Sequence, residues 1–217
     1  MIKAIIFDLD GVVIDSEPIA YSLLQELVNP YGYTITLEEY TTEFLGRTVL
    51  AGIQRIRNML HTTESEEELL RKYFCMEEEK IKSGIPLKPG VNELLLYLKD
   101  NGYKTIVASS SVRKRAEDIL DSHNLSVYFD DMVFGYEVEK GKPFPDVFLK
   151  ACEKLGVKED EAIVIEDSEA GIQAAFSADI PVICIPDIKA PNEEFLEKAS
   201  YVFDSLYDVI SFLEKTK

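Results

Sequence analysis

The sequence lacks several features that mark particular classes of protein. No apolar run approaches the roughly 18 residues that a membrane-spanning helix needs, so we expect no membrane partner. The Gly-x4-Gly-Lys-Ser/Thr loop is absent, which disfavours a kinase or a nucleotide switch. Basic residues are few, 23 against 40 acidic ones, and the formal net charge is −17. This charge argues against nucleic acid as a partner and requires any site for anionic compounds to supply its own local cations.

Cysteine and histidine are also scarce, with three and two copies in 217 residues. Cys75, Cys152 and Cys184 follow no metal-ligand spacing, so we predict that they are core residues in a reducing compartment. His61 and His123 share no partner motif and are predicted to lie at the surface. The chain opens with a strand-like segment rather than a signal peptide, so we expect a cytoplasmic location.

The chain begins with a strand that two carboxylates follow at once. Residues 3–7 form a short apolar run that a polar, glycine-containing turn ends, as is typical of a buried strand. Asp8 and Asp10 come directly after it, and Glu166 and Asp167 follow a later run of the same kind. Ligands of parallel sheets bind at the carboxyl ends of strands, and carboxylates gathered there repel each other unless a cation or proton separates them. The pattern predicts a Mg²⁺ site with a carboxylate nucleophile.

The rest of the chain divides into a helical part and an alternating part. Residues 16–85 have helical texture without a convincing strand, and Ser65 and Glu68 form a potential capping box there. From residue 86 onwards strands alternate with helices, which predicts a parallel sheet with helices on both faces. We therefore expect an α/β fold, with a Rossmann-like doubly wound core formed by 1–15 and 86–217 and with 16–85 as a helical insert. A chain of this size can act as a monomer, which is the state we expect.

Two more polar residues complete a set suited to phosphoryl transfer. Ser109 follows a strand, and Lys142 lies on a basic turn between strands. A carboxylate can attack phosphorus, a divalent ion and fixed donors can hold the transferring oxygens, and an acid can protonate the leaving alkoxide. Each residue alone has a plainer explanation: Ser109, Glu166 and Asp167 could cap helices, and Lys142 could be a solvated surface lysine. Their joint occurrence at strand ends favours chemistry.

The chain resembles the haloacid dehalogenase superfamily in four ordered motifs, which are Asp8-Leu-Asp10-Gly11-Val, Ser109 after a strand, Lys142-Pro143 and Glu166-Asp167-Ser168. The resemblance covers nearly the whole chain and is closest to the phosphatase and β-phosphoglucomutase-like branch. Members of this branch carry a small helical cap between the first strand and the next core element. The resemblance therefore implies that residues 16–85 are a cap domain.

The resemblance also implies a role for each matching residue. Asp8 would be the nucleophile and Asp10 the general acid/base, while Ser109 would donate to the phosphoryl group and Lys142 would bridge the nucleophile and the phosphoryl oxygens. The implied Mg²⁺ ligands are Asp8, Asp10 through its backbone carbonyl, Glu166 and Asp167. The implied substrate contacts are Gly46, Arg47 and Ser110, although Arg47 could equally be a cap-surface arginine.

Three chemistries share this scaffold. Dehalogenation expels a halide and needs no proton, so a second aspartate in the first motif favours phosphoryl transfer. Phosphonoacetaldehyde-type cleavage needs a desolvated amine in the cap, and nothing in the sequence suggests one.

The remaining choice is between a phosphatase and a mutase. β-Phosphoglucomutases usually carry a histidine, an arginine and a lysine at the positions that Ala20, Val49 and Val112 occupy here. The absence of three polar groups favours a Mg²⁺-dependent hydrolase of a small phosphorylated metabolite such as a sugar phosphate. A sugar-phosphate mutase is the alternative, and a non-catalytic phosphate-binding or regulatory module is a further one.

Overall fold

The computed structural model describes residues 1–60 and 62–216, so the prediction for His61 lies outside the described residues. The chain divides into two compact units. The core unit comprises Met1–Asp15 and Pro86–Lys217, and the insert unit comprises Ser16–Ile85. Each has a hydrophobic core of its own. The role of the insert unit as a cap stays a prediction.

The core unit is built on a parallel β-sheet. Its strands, in chain order, are β1 (Ala4–Phe7), β2 (Lys104–Ser109), β3 (Asp131–Phe134), β4 (Ala162–Glu166), β5 (Val182–Cys184) and β6 (Tyr201–Val202). Within the described residues these six strands form one sheet in the order β3-β2-β1-β4-β5-β6, and every adjacent pair is parallel. The strand order reverses between β1 and β4, which is where doubly wound sheets bind their ligands. The predicted doubly wound α/β fold is confirmed.

The α-helices follow the predicted alternation. Residues 1–60 and 62–216 contain α1 (Glu17–Val28), α2 (Leu37–Glu43), α3 (Val49–Leu60), α4 (Glu66–Ser83), α5 (Val91–Asp100), α6 (Arg113–Ser122), α7 (Asp146–Leu155), α8 (Glu169–Ser177), α9 (Glu193–Leu196) and α10 (Leu206–Lys215). The four-residue α9 was not predicted. Across these described stretches, none of the helices has both the length and the apolar character that a bilayer crossing requires.

Burial explains why the two central strands read as uninterrupted apolar runs. Every residue of β1 and β4 is buried. Ile6 and Val164 lie in one apolar cluster with residues of α7 and α8, while the alternate residues Ile5 and Ile163 point to the opposite face of the sheet and are buried as well. A strand that is covered on both faces favours apolar side chains throughout, and in β1 and β4 the exception is Glu166, the last residue of β4.

The insert unit consists of α1 to α4 around a small apolar core. Leu23, Ile53 and Leu69, from three of these helices, are fully buried in that core. The predicted capping box of α4 is confirmed, because the Ser65 side chain accepts the Glu68 N–H while the Glu68 carboxylate accepts the Ser65 N–H.

The cysteine prediction was wrong for one residue of three. Cys152 and Cys184 are buried, but Cys75 is exposed on α4. Burial raises the pKa of Cys152 to about 11 and that of Cys184 to about 12, which suppresses the reactive thiolate. We therefore expect Ellman's reagent to modify one thiol in the folded protein and three in denaturant. Modification of Cys75→Ser at the wild-type rate in its folded state would contradict this assignment.

Candidate active site

The turn after β1 brings the first acidic motif against the fourth. The Asp8 N–H donates to the Ile165 carbonyl at 3.0 Å, so the ends of β1 and β4 are tied at the reversal point of the sheet. Gly11 then adopts a φ of +80°, a conformation that disfavours residues with a side chain. A Cβ at this position would overlap the Asp167 carboxylate. Glycine at position 11 therefore allows the close approach of Asp167 to the turn.

Lys142 is a buried cation that links three segments of the core unit. Its Nζ donates to Asp8 Oδ1 at 2.5 Å, to Glu166 Oε1 at 2.6 Å and to the Ala108 carbonyl at 3.0 Å. These three bonds use every donor of the ammonium group, and the side chain is only 5% exposed. Burial by itself would lower the pKa of Lys142, but the charges of Asp8 and Glu166 outweigh it and hold the pKa above its ordinary value. The alternative of a solvated surface lysine is excluded.

Glu166 anchors Lys142 and the turn that follows β4. The side chain is fully buried, and its Oε2 accepts the Asp167 N–H, the Ser168 N–H and the Ser168 hydroxyl at 2.9–3.0 Å. The helix-capping alternative fails for the acidic pair, because the N-cap of α8 is Ser168, which accepts the Gly171 N–H at 3.1 Å. With Oε2 saturated, Oε1 is the oxygen through which Glu166 can contact a further group.

Gly171 provides the space for this carboxylate, and a substitution there tests it. A Cβ at Gly171 would overlap the carboxylate of Glu166. We expect Gly171→Ala to displace Glu166 from Lys142 and to destabilise the protein by about 1–3 kcal/mol, as overpacking does in buried sites. Urea unfolding followed by circular dichroism measures the change.

Gly52 offers a matched control, because it is also a buried helical glycine. A Cβ there would meet only Phe44 Cδ1 at 3.5 Å, an ordinary contact. Gly52→Ala should be neutral or stabilising, since alanine favours the helix. Equal stability of the two alanine variants would show that Glu166 moves without cost.

Asp8, Glu166 and Asp167, with Lys142, form a carboxylate–lysine cluster, and its carboxylates fit a divalent cation. Asp8, Glu166 and Asp167 each offer an oxygen within 4.8 Å of the others, and Lys142 donates to Asp8 and to Glu166. Burial, reinforced by Glu166 and partly offset by Lys142, raises the pKa of Asp8 to about 7. Burial raises the pKa of Asp167 well above its usual range, and the charges of Glu166, Asp8 and Asp187 add to the effect. The raised pKa values of Asp8 and Asp167 reflect burial and repulsion among the carboxylates. A cation among these oxygens would remove that repulsion.

Asp187 gives a second indication that this site suits a cation. Its Oδ1 accepts from Lys88 Nζ at 2.7 Å, but no described residue donates a hydrogen bond to its buried Oδ2. Such an orphaned oxygen in a native protein requires an explanation, and a nearby cation with its water would supply one. Asp187 was not predicted, although its position three residues after β5, at the carboxyl edge of the sheet, was a usable signal.

The second motif supplies a buried hydroxyl group. Ser109 ends β2, is 2% exposed, and its Oγ accepts the Ser111 N–H at 3.0 Å. Ser109 is not a helix cap, because α6 has Val112 at its N-cap position. Ser110, between the two bonded serines, is exposed, and its role in substrate binding stays a prediction.

Asp10 makes a contact that the sequence did not predict. Its carboxylate accepts two hydrogen bonds from Arg115, a residue of α6 that is separated from it by 105 positions. The local signal was weak, because Arg115 lies in the first turn of α6 and Ser111 precedes that helix.

The two predicted substrate contacts of the insert unit lie on the loop between α2 and α3. Gly46 adopts a φ of +73°. The Arg47 side chain is 54% exposed, and its Nη2 lies 4.0 Å from Glu43 Oε2. Their role in binding stays a prediction.

Comparisons with known proteins agree with this fold. The family model described as haloacid dehalogenase-like hydrolase matches residues 5–185. A phosphorylated carbohydrates phosphatase of Thermotoga maritima is 32% identical over 178 residues, which cover 82% of each chain. A phosphoglycolate phosphatase of Aquifex aeolicus is 33% identical over 79% of each chain. The structure of a proposed β-phosphoglucomutase from Thermotoga maritima aligns over 100% of both chains with a TM-score of 0.88 and 28% identity.

The doubly wound fold and the carboxylate–lysine cluster at its reversal point define an α/β enzyme. The chain belongs to the haloacid dehalogenase-like hydrolase family. The predicted family and the predicted class, an enzyme of the phosphatase kind, are both confirmed.

Proposed function

We propose that this protein is a Mg²⁺-dependent phosphomonoesterase that acts through an aspartyl-phosphate on Asp8. The observation that supports this most is the buried ammonium group of Lys142, which holds Asp8 and Glu166 at the carboxyl ends of two adjacent strands. We favour a small phosphorylated metabolite, in particular a sugar phosphate, as the substrate class. The relative named a phosphorylated carbohydrates phosphatase supports that choice.

In the first displacement, an Asp8 carboxylate oxygen attacks the phosphorus of the ester. The bond between phosphorus and the leaving oxygen breaks, and the leaving alkoxide takes a proton from the Asp10 carboxyl group. The products are the free alcohol, an acyl phosphate on Asp8 and an ionised Asp10. We propose that the Ser109 hydroxyl donates to a phosphoryl oxygen. The Lys142 ammonium group, whose three N–H donors are taken by Asp8, Ala108 and Glu166, would meet the phosphoryl charge electrostatically.

In the second displacement, water attacks the phosphorus of the acyl phosphate. Asp10, now a carboxylate, accepts the proton of that water while the bond between phosphorus and the Asp8 oxygen breaks. Inorganic phosphate leaves, Asp8 returns as a carboxylate, and Asp10 is again protonated. The two steps together consume one ester and one water.

We propose that Asp8, Asp167 and the Asp10 backbone carbonyl hold the metal ion, with Glu166 assisting through Oε1. The ion would supply charge neutralisation between the anionic nucleophile and the anionic phosphoryl group. The residues of the chain supply the rest: Lys142 fixes Asp8, and Glu166 fixes Lys142.

We extend the proposal to the insert unit, which would act as the substrate-selecting cap. Gly46 and Arg47 are the proposed contacts there, and Ser110 is the proposed contact from the core unit. An arginine suits an anionic or hydroxyl-rich substrate because its planar group donates several hydrogen bonds.

A sugar-phosphate mutase is the second candidate. The structural likeness to a proposed β-phosphoglucomutase favours it. Against it, Ala20, Val49 and Val112 provide no polar group for the far phosphate of a bisphosphate intermediate. Hydrolysis therefore remains the function that we propose.

Phosphate release from a panel of sugar phosphates and other small phosphomonoesters tests the proposal. Each ester is assayed with Mg²⁺ and with a chelator, and β-glucose 1-phosphate is also assayed for glucose 6-phosphate. We expect metal-dependent phosphate release from several esters. Glucose 6-phosphate without free phosphate would identify a mutase, and no turnover of any ester would favour the non-catalytic alternative.

A further inference from the structure

Arg115 holds the carboxylate of Asp10 with both arms of its guanidinium group. Nη1 donates to Asp10 Oδ2 and Nη2 donates to Asp10 Oδ1, each at 2.9 Å. The pair lies at a partly exposed edge of the core unit, with the arginine side chain 18% and the aspartate side chain 33% exposed. Such a two-bond arrangement fixes the plane of the carboxylate as well as its position.

The same arginine is tied to the serine motif. Nη1 also donates to Ser111 Oγ at 3.1 Å, and the Ser111 N–H donates to Ser109 Oγ at 3.0 Å. Ser111 therefore connects the Ser109 hydroxyl to Arg115 and so to the Asp10 carboxylate, through its backbone N–H on one side and its Oγ on the other. It couples the end of β2 to the turn after β1.

The helix that carries Arg115 is packed into the core unit. This helix, α6, buries Ala116, Ile119 and Leu120, so packing holds the backbone from which the guanidinium group projects. Asp10 itself lies in the turn that Gly11 and Ile14 close with a 2.9 Å backbone hydrogen bond. Contacts other than the ion pair itself therefore hold the backbone of both partners in place.

We propose that Arg115 is a positioning residue for Asp10, one that aims the carboxyl group in both proton transfers of the hydrolysis. This inference rests on the proposed function. Each carboxylate oxygen has two acceptor positions, and the guanidinium group takes one on each. The second acceptor position on each oxygen stays available for the leaving oxygen and for the attacking water. Arg115 sets the direction in which these positions point.

The proposal predicts that the effect of losing Arg115 depends on the leaving group of the ester. An alkyl phosphate has a poor leaving group that needs a proton, whereas p-nitrophenyl phosphate expels a stable anion and does not. For Arg115→Met we expect kcat/KM to fall by roughly 10²-fold with an alkyl phosphate, the loss that a misplaced proton donor causes. The fall should be much smaller with p-nitrophenyl phosphate, because kcat/KM reports only the steps up to release of the first product.

The second displacement gives an independent readout. Every ester forms the same acyl phosphate, and its hydrolysis needs Asp10 as a base. Rapid mixing of Arg115→Met with p-nitrophenyl phosphate should therefore show a burst of nitrophenolate close to one per enzyme, followed by a slow steady state. Arg115→Lys, which can make one of the two bonds, should give intermediate values.

Arg113→Met is the matched control. Arg113 lies on the same helix, donates to Glu137 at 2.7 Å and covers the Phe134 ring, but it does not contact Asp10. Its loss should leave the ratio of kcat/KM between the two esters at the wild-type value. Circular dichroism and thermal melting of all variants show whether each is folded.

The outcomes separate this inference from the proposed function. A larger loss for the alkyl ester than for the aryl ester, with a burst, supports the positioning role. Equal losses for both esters in Arg115→Met, with no burst of nitrophenolate, would overturn it and leave the phosphatase in place. If the wild type turns over neither ester, the proposed function fails and this inference fails with it.

Discussion

Replacement of Asp8 by asparagine is expected to lower turnover by roughly 10⁴-fold or more, because the covalent route disappears with its nucleophile. Asparagine has the same shape and still accepts a hydrogen bond from Lys142, which lies 2.5 Å from Asp8 Oδ1. It also removes one negative charge from a buried group of three carboxylates. The variant should therefore fold as well as the wild type. Phosphate release with the best ester of the panel measures the loss.

A direct assay for the intermediate sharpens this prediction. Acid quenching with a ³²P-labelled ester should leave label on the wild-type protein, and hydroxylamine should release it, as it does from acyl phosphates. Asp8→Asn should carry no label.

Asp131→Asn is a matched control, since Asp131 is the first residue of β3 and so lies at the opposite, amino edge of the sheet. It should retain both label and turnover. Label on Asp8→Asn, or turnover near the wild-type rate, would remove Asp8 from the role of nucleophile.

The parts of the site that lie at strand ends were predictable from local sequence. Asp8, Ser109 and Glu166 each end or follow a short apolar run, and parallel strands bring their carboxyl ends to one edge. The helices and the capping box of α4 follow from patterns within one or two turns. These features depend on residues that are close in the sequence, so the sequence alone predicts them.

Long-range pairing was harder to predict. The burial of Lys142 depends on Asp8, Ala108 and Glu166, which come from three separate strands. Nothing in the local sequence distinguishes it from a surface lysine. It was selected because it occurs together with the strand-end residues and matches the third motif of the family. The contact between Arg115 and Asp10 has no such precedent in the four motifs, and the sequence shows only that Arg115 lies in the first turn of α6, four residues after Ser111.

The error at Cys75 arose from relying on the average burial of a residue type. Cysteine is among the most buried residue types on average, which made a core position the natural expectation. Cys75 instead lies on the exposed side of α4, where the burial of Leu69 and Tyr73 decides which face points inward. The position of a residue on its helix outweighs the average preference of its type.

Mg²⁺ is expected to raise the melting temperature of the wild type by about 5–10 °C at a concentration 100 times its dissociation constant. A ligand at that concentration that binds only the folded state stabilises it by about 2.7 kcal/mol, and 1 kcal/mol shifts the melting temperature by roughly 2–4 °C at this chain length. The physical reason is the repulsion among Asp8, Glu166 and Asp167 in a buried site. Thermal melts with Mg²⁺ and with a chelator measure the shift, at matched ionic strength so that general screening cancels.

Asp167→Asn tests whether the shift arises at this cluster. The substitution removes a buried carboxylate whose pKa is held well above its usual range by burial and by its charged neighbours, so the metal-free variant should melt above the metal-free wild type. Having lost a proposed ligand, the variant should gain little from Mg²⁺, while Asp131→Asn should keep the full shift. If Asp167→Asn gained as much as the wild type, the ion would be bound elsewhere, and the proposed ligand set would be wrong. If the wild type itself melted identically with Mg²⁺ and with the chelator, the buried charges would have to be balanced by protons instead, and the metal-dependent mechanism would lose its physical basis.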